Sequence, residues 1–405
     1  MRKQRRKNST PLFVFIGITL GLAALIQNPY GQFSDIRGFF GMHFSDGQHQ
    51  WPFSYHQLLG ATSEMHPVEY PALTGLIMWL ISFLVGDSDA SWQHYYWITA
   101  LLNSFLFGLS AYILNQFVKS KYVYCYLLSL AVLYSLHRNW DIWAVVPMLV
   151  SILYFEKGNY RKSAIFLAIS IATKFFPIVL LLPIGVVFYR NFQYKKLLVY
   201  ISDTLITWIC INLPFAIINF DGWFYFYKFS YERGFGGGSL SEMFGKLDIE
   251  FNLSKELFFF LNTIIVSIVV IILFKIKNSH SILRESFLIF FAFMIFNKQY
   301  SMQYVIWLTP LALMSINELP RLKQKAVMLY FLIWQVLELA FQFAFFQNIL
   351  TNTGIERSQI LTSTPVSDFN YGITSLLRYL AFILFAVMLT IEHLKDRASN
   401  KNVRK

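Results

Sequence analysis

The chain has 405 residues, of which 56% are hydrophobic and 14% charged, well under the roughly 25% charged residues of soluble domains. That composition excludes a soluble enzyme with a single anchor, and apolar stretches run from end to end, so one all-α membrane domain is expected. The net charge of +12 does not argue for nucleic acid, because the excess clusters at the edges of apolar runs, where Lys and Arg set membrane orientation.

Arg2, Lys3, Arg5, Arg6 and Lys7 precede an apolar run from Pro11 to Gln27. A signal peptide would show a small-residue cleavage site next. Gln27-Asn28-Pro29-Tyr30 stands there instead, so a retained first helix with a cytoplasmic N-terminus is expected. Residues 28–70 then form a long aromatic loop with Asp35, Asp46, His43, His49, His56 and His66. No His-x-x-x-His pair with a carboxylate partner stands out, so no metal site is expected. Two roles are open to Asp35 in Ser34-Asp35-Ile36-Arg37. It can cap a helix or pair with Arg37, or it can act as a general base toward an acceptor hydroxyl.

Further candidate spans follow at 71–86, 94–118, 121–136, 141–155, 162–175, 177–189, 197–218, 257–275, 281–296, 302–317, 324–346 and 371–391. Several are shorter than the ~20 residues that cross a bilayer, which predicts broken or tilted helices around a cavity. Pro177 and Pro183 fit such a break. The resulting partition is a basic N-terminus at 1–10, one polytopic domain at 11–391 with outer loops at 28–70 and 219–256, and a basic tail at 392–405. Cys125 and Cys210 lie inside apolar runs and are read as buried thiols.

Basic loops at Lys119–Lys121, Glu156–Lys162, Arg190–Lys196, Lys275–His280 and Arg321–Lys325 are expected on the cytoplasmic side, as is the tail with Lys395, Arg397, Lys401, Arg404 and Lys405. Both termini are then cytoplasmic, which requires an even number of crossings. One of the thirteen runs therefore does not cross, leaving about twelve. The mismatch falls in 71–118, and 71–86 is the suspected segment. This topology puts 28–70, the turn His137–Asp141, the Lys174 end, 219–256 and Asn297–Gln303 on one outer face. The expected location is a plasma membrane of bacterial type, crossed many times.

Charge at the ends of apolar segments is costly near a bilayer and marks functional candidates. Glu69-Tyr70-Pro71 opens an apolar helix, with Pro71 suited to a first helical position and Glu69 favoured by the helix dipole. Arg138-Asn139-Trp140-Asp141 is either a polar turn or a sugar-binding patch of paired donors and acceptors beside an aromatic face. Lys174, between two apolar runs, either snorkels or binds phosphate. Glu232-Arg233-Gly234 through Gly238-Ser239 is either a flexible loop or an anion site, with glycine amides and the Arg233 fork as ligands. No Gly-Lys-Ser/Thr follows, so it is not a Walker motif. Asn297-Lys298-Gln299-Tyr300-Ser301-Met302-Gln303-Tyr304 carries more hydrogen-bonding groups than membrane anchoring requires. Gln335, Glu338 and Gln342 share one helical face and are expected to tie helices together.

In order, the Asp35 loop, Glu69–Gly75, Asn139-Trp140-Asp141, Thr173–Pro177, Glu232–Leu240 and Asn297–Pro310 resemble the polyprenyl-phosphate-mannose-dependent mannosyltransferases of glycosyltransferase family 87, in the GT-C class of membrane enzymes. Ala72 stands where that family has a second proline, and Met302 where it often has one. The resemblance implies a GT-C helical bundle with an outer-face cavity. It implies inverting transfer of a sugar, mannose in the first instance, from a polyprenyl-phosphate donor to a glycolipid or envelope polysaccharide. Asp35 would be the base. Lys174, Arg233 and Lys298 would hold the departing phosphate. Glu69, Tyr70, Asn139, Asp141, Gln303 and Tyr304 would contact sugar or acceptor. No cofactor, metal or nucleotide enters the scheme.

Three rivals remain open. A transporter or flippase of lipid-linked sugars would bind the same ligand without a base. It would often show inverted repeats with broken helices at the midplane, and none is evident by eye. A related enzyme could move arabinose or aminoarabinose. An inactive scaffold of envelope synthesis is the third.

Overall fold

The computed structural model describes residues 10–26, 68–85, 91–250, 254–275, 281–352 and 366–402. Helices account for its regular structure, with one isolated parallel bridge between Gly236 and Gln299 and no strand among the described residues. Asp35, Asp46 and the histidines of the first loop lie outside the described residues.

The helices are α1 (Thr10–Ile26), α2 (Ala72–Ser82), α3 (Ser91–Leu114), α4 (Ser120–Leu127), α5 (Leu130–Ser135), α6 (Asp141–Glu156), α7 (Tyr160–Thr173), α8 (Leu181–Arg190), α9 (Tyr194–Ile218), α10 (Phe220–Glu232), α11 (Leu240–Lys246), α12 (Lys255–Lys275), α13 (Glu285–Ile295), α14 (Val305–Asn317), α15 (Arg321–Asn352) and α16 (Asp368–Asn402). Short 3-10 turns, Phe176–Leu180 and Met302–Tyr304, lead into α8 and α14. Five helices among the described residues are long and apolar enough to cross a membrane: Gln93–Leu114, Tyr194–Ile218, Lys255–Lys275, Arg321–Ile349 and Asp368–Lys395. They have the length and composition of a multi-pass membrane protein.

Three expectations change in detail. The loop 219–256 is partly helical. Asn219 accepts a hydrogen bond from the Gly222 amide and starts α10, and Ser239 accepts from the Glu242 amide and starts α11. Both are ordinary N-caps. The aromatic run between them has only 13 helical residues, too few to cross a bilayer, so it was read with the loop. The run 121–136 is two helices, parted at Leu128–Ser129. Cys210 is exposed and Cys125 only partly buried, because an apolar run does not distinguish an interior position from one facing lipid. The suspected segment 71–86 forms α2, which has 11 residues. At 1.5 Å per residue it reaches about 16 Å, roughly half of a bilayer's hydrocarbon core.

Within the stretch read as one membrane domain, the chain gathers into two compact units. The first comprises the described residues up to Gln116, Leu136–Ile178 and Leu198–Arg233; the second comprises Phe117–Ser135, Val179–Leu197 and the chain from Gly234 onward.

In the first unit α1 lies against α3 through small residues. A Cβ on Gly21 would meet Ser104 Oγ at 2.8 Å, and one on Gly108 would meet the Val14 carbonyl oxygen at 2.6 Å. Close backbone approach of this kind is how helices associate without a hydrophobic driving force. Gly108→Val is therefore expected to destabilise the protein by about 1–3 kcal/mol or more through overpacking. Gly185→Ala, with nothing within 4 Å of the added carbon, is the control. Melting of the two variants in detergent checks this, and equal melting temperatures would contradict the tight α1–α3 contact.

The helices α6 and α7 form an antiparallel hairpin. Gly158 turns it at φ 74°, a conformation that favours glycine. Asn159 caps α7 by accepting from the Lys162 amide. Hydroxyls join the pair, with Ser170 Oγ donating to the Ala144 carbonyl at 2.7 Å and Ser151 Oγ to the Ser163 carbonyl at 2.9 Å.

In the second unit α15 and α16 pack along their lengths, with the Trp334 ring stacked on Phe382 and Phe385. The polar stripe on α15 ties helices together. Gln335 accepts from Ser129 Oγ at 2.6 Å and donates to Thr309 Oγ1 at 3.1 Å, and Gln342 donates to the Ala131 carbonyl at 3.2 Å.

Candidate functional site

The first unit builds a charged site where the α6–α7 hairpin opens. Because the helices run antiparallel, the N-terminus of α6 and the C-terminus of α7 meet. Asp141 is the first residue of α6 and Lys174 the C-cap of α7. Each charge has the sign its helix end favours.

The turn before α6 is held from α3. Asn103 donates to the carbonyls of Leu136 at 3.1 Å and Asn139 at 3.0 Å, and accepts from Trp143 Nε1 at 2.8 Å. Asn139 Oδ1 then accepts from the Asp141 amide at 2.9 Å. His137 Nε2 lies 2.8 Å from the Gly21 carbonyl, and burial pushes this imidazole down to about 4. It is therefore neutral near pH 7 and donates from Nε2, fastening the turn to α1. Trp140 is fully buried, in the same apolar cluster as Tyr70, Met78 and Tyr95.

On the other side, Lys174 leaves α7 in an extended conformation, φ −143° and ψ 134°. Its Nζ lies 2.6 Å from Asp141 Oδ1 and 4.0 Å from the centre of the Tyr70 ring. Tyr70 in turn meets Trp140 edge-on at 5.6 Å. The Asp141 side chain is 0% exposed and that of Lys174 13%. Thr74 Oγ1 donates to the Thr173 carbonyl at 2.5 Å and fixes α2 beside the same helix end. The result is a buried carboxylate, a partly open ammonium over the Tyr70 ring, and Trp140 packed behind them. An ammonium has three donors, and Asp141 takes one side of it, so an anionic ligand at Lys174 shares the cation with Asp141.

Glu69 is half-buried. It stands close enough to α10 that, after burial, its charge is the largest of those raising the Tyr225 phenol. Phe175 touches Phe226 and Tyr227 of α10 at ring separations of 6.5 and 6.0 Å. Arg233, the exposed C-cap of α10, lies over the Phe229 ring at 5.5 Å.

The second unit holds the remaining candidates. Lys298 is half-buried, and its carbonyl accepts from the Gly236 amide at 3.2 Å. Gln299 Nε2 donates to the Gly234 carbonyl at 3.2 Å. The glycine-rich loop and the Asn297–Tyr304 segment are thus joined along the Gly236–Gln299 bridge. Gln303 is half-buried in the 3-10 turn, and Tyr304 is buried at the start of α14.

The glycine loop was open to two readings, a flexible loop or an anion site with its amides as ligands, and three of those amides already have partners within the protein. Gly236 donates to Lys298, Gly238 to Glu242 Oε2 at 2.6 Å, and Ser239 to the Gly236 carbonyl. The glycines serve conformation and close packing. Gly237 and Gly238 have φ of 54° and 76°, and a Cβ on Gly238 would fall 2.6 Å from both Arg378 Nη1 and Phe341 Cζ.

Sequence reasoning missed Asn103, Glu242 and Arg378. A lone arginine inside the apolar run 371–391 was the available signal for Arg378, since intramembrane charge is functional by default.

Comparison of the chain with protein-family models, with curated proteins and with solved structures finds no match.

Proposed function

We propose that this protein transfers a sugar from a polyprenyl-phosphate donor to a glycolipid or envelope glycan, as a membrane glycosyltransferase of GT-C type with about twelve crossings. The observation that carries the reading is the Asp141–Lys174 pair beside Tyr70 and Trp140, at the open end of a hairpin of apolar helices. An ammonium at such an end suits a lipid phosphate; Asn139, Trp140 and Asp141 are buried behind it and hold it in place, so a sugar would meet the more open Glu69 and Lys174 rather than these side chains. The resemblance assigns the phosphate-holding task also to Arg233 and Lys298, and sugar or acceptor contacts to Glu69, Gln303 and Tyr304. In the reaction the acceptor oxygen attacks the anomeric carbon, the carbon–oxygen bond to phosphate breaks, and polyprenyl phosphate departs. Asp35 takes the acceptor proton. Cationic contacts act where charge develops on the leaving phosphate, which is where electrostatic stabilisation lowers the barrier.

The test incubates purified full-length protein in nanodiscs with polyprenyl-phosphate mannose and candidate glycolipids, read by mass spectrometry. A hexose increment on an acceptor is expected. Donor binding with no transfer from any polyprenyl-phosphate sugar would favour the transporter reading. Topology is tested separately in a background lacking Cys125 and Cys210. The exposed Gly245 and Lys157 supply the labelling positions. Gly245→Cys should react with an impermeant thiol reagent on intact cells, and Lys157→Cys only after lysis. The reverse pattern would remove the proposed outer face.

A further inference from the structure

The second unit contains a fully buried guanidinium whose contacts converge on the glycine-rich loop. Arg378 sits within the N-terminal third of α16 with 0% exposure. Its Nε donates to Glu338 Oε2 of α15 at 2.9 Å, and its Nη2 to the Tyr300 carbonyl at 2.8 Å. The guanidinium carbon lies 3.5 Å from the centre of the Tyr300 ring and 3.8 Å from that of Phe341. Nη1 faces Gly238 so closely that no Cβ fits between them. The next residue on α16, Tyr379, donates its hydroxyl to the Gly238 carbonyl at 3.2 Å, while Tyr371 donates to Glu242, the carboxylate that also holds the Gly238 amide.

A buried ion pair is weak evidence for stability, since an apolar pair of similar volume often does as well. Lysine would suffice to neutralise Glu338. What lysine cannot supply is a planar fork that meets a carboxylate and a carbonyl at once while stacking between two rings. The arrangement is therefore suited to setting the geometry of the segments it touches. Those segments are Gly236–Ser239 and Lys298–Tyr300, which the bridge already joins.

We propose that Arg378, with Tyr379 beside it, is a positioning residue that holds the Gly236–Ser239 loop against the Lys298 segment and so fixes the stance of Lys298. The inference rests on the proposed glycosyl-transfer reading for the donor-phosphate contact of Lys298, and on the contacts alone for the clamp.

The test uses full-length protein in nanodiscs and the variant Arg378→Lys, with two readouts. One is amide hydrogen exchange in peptides covering Gly234–Leu240. The other is KM for polyprenyl-phosphate mannose compared with KM for the glycolipid acceptor. Loss of the charge-assisted contacts should speed exchange and raise donor KM roughly 10- to 100-fold, with acceptor KM unchanged. A role confined to neutralising Glu338 predicts wild-type values for both, and that result in a folded variant overturns the proposal. Faster exchange with unchanged donor KM also overturns it. If Arg378→Lys does not fold, Tyr379→Phe, which loses only the hydroxyl on Gly238, decides by the same criteria. If wild-type protein transfers no sugar from any donor, the functional reading fails and the donor role of Arg378 with it. Faster loop exchange in the variant then still establishes the clamp, and unchanged exchange refutes that too.

Discussion

Lys174→Met is expected to lose about 3–5 kcal/mol of stability, because it leaves a fully buried carboxylate without the cation beside it. The double variant Asp141→Leu with Lys174→Met should recover most of that loss, since an apolar pair of similar volume replaces the buried ion pair at little net cost. Thermal melting of the two singles and the double gives the coupling between the residues. Additive losses would mean that the pair does not form. The cycle also changes how a phosphate-binding role is read. Activity lost in Lys174→Met alone reports partly on folding. Donor KM in the restored double variant, read against that of Asp141→Leu alone, reports on the amine itself, and a charge-assisted contact to phosphate contributes roughly 1.5–3 kcal/mol. A stable double variant with wild-type donor KM and kcat would remove Lys174 from the donor site.

Asp35→Asn is expected to reduce turnover by about 10²–10⁴-fold while the protein folds and still binds the lipid donor. Asparagine keeps the size and much of the hydrogen bonding but accepts no proton at neutral pH. A helix-capping or Arg37-pairing Asp35 gives the opposite pattern, with a lowered melting temperature and activity falling only in proportion. Full activity in Asp35→Asn together with loss in Glu69→Gln would transfer the base to Glu69. That carboxylate already stands in the first unit with Tyr70, and its charge reaches Tyr225. A transporter of lipid-linked sugars would need no base, so neither variant would show a specific loss of turnover.

Helix positions were largely legible from the sequence, because local signals determine them. The apolar runs, the Pro71 start and the basic residues after α6 and α8 place most elements within a few residues. The misses have local causes too. The stretch Phe220–Glu232 mixes aromatic and charged side chains and is too short for a crossing, so the signal for this helix was its Asn219 cap. The break at Leu128–Ser129 falls inside an apolar run, where its mark is the small signal of Ser129, whose hydroxyl accepts from the Val132 amide as the cap of α5. Exposure of Cys210 was illegible, since membrane helices are apolar on both their packed and their unpacked faces.

The charges themselves were marked by the sequence as well. Asp141 and Lys174 stand at the ends of apolar runs, and charge there is too costly to be incidental. Their pairing was not marked. It arises because α6 and α7 fold back on each other, and only that closure brings a helix N-terminus and a helix C-terminus of matching polarity to 2.6 Å. Glu338 and Arg378 make the same point across 40 residues. Each was visible as a polar residue in an apolar helix, but the fork onto Tyr300 and the fit against Gly238 exist only once α15 and α16 pack. Local physical chemistry determined which residues bear charge and where helices begin. Tertiary packing decided which charges meet, because burial makes each of them depend on a partner that sequence distance does not reveal.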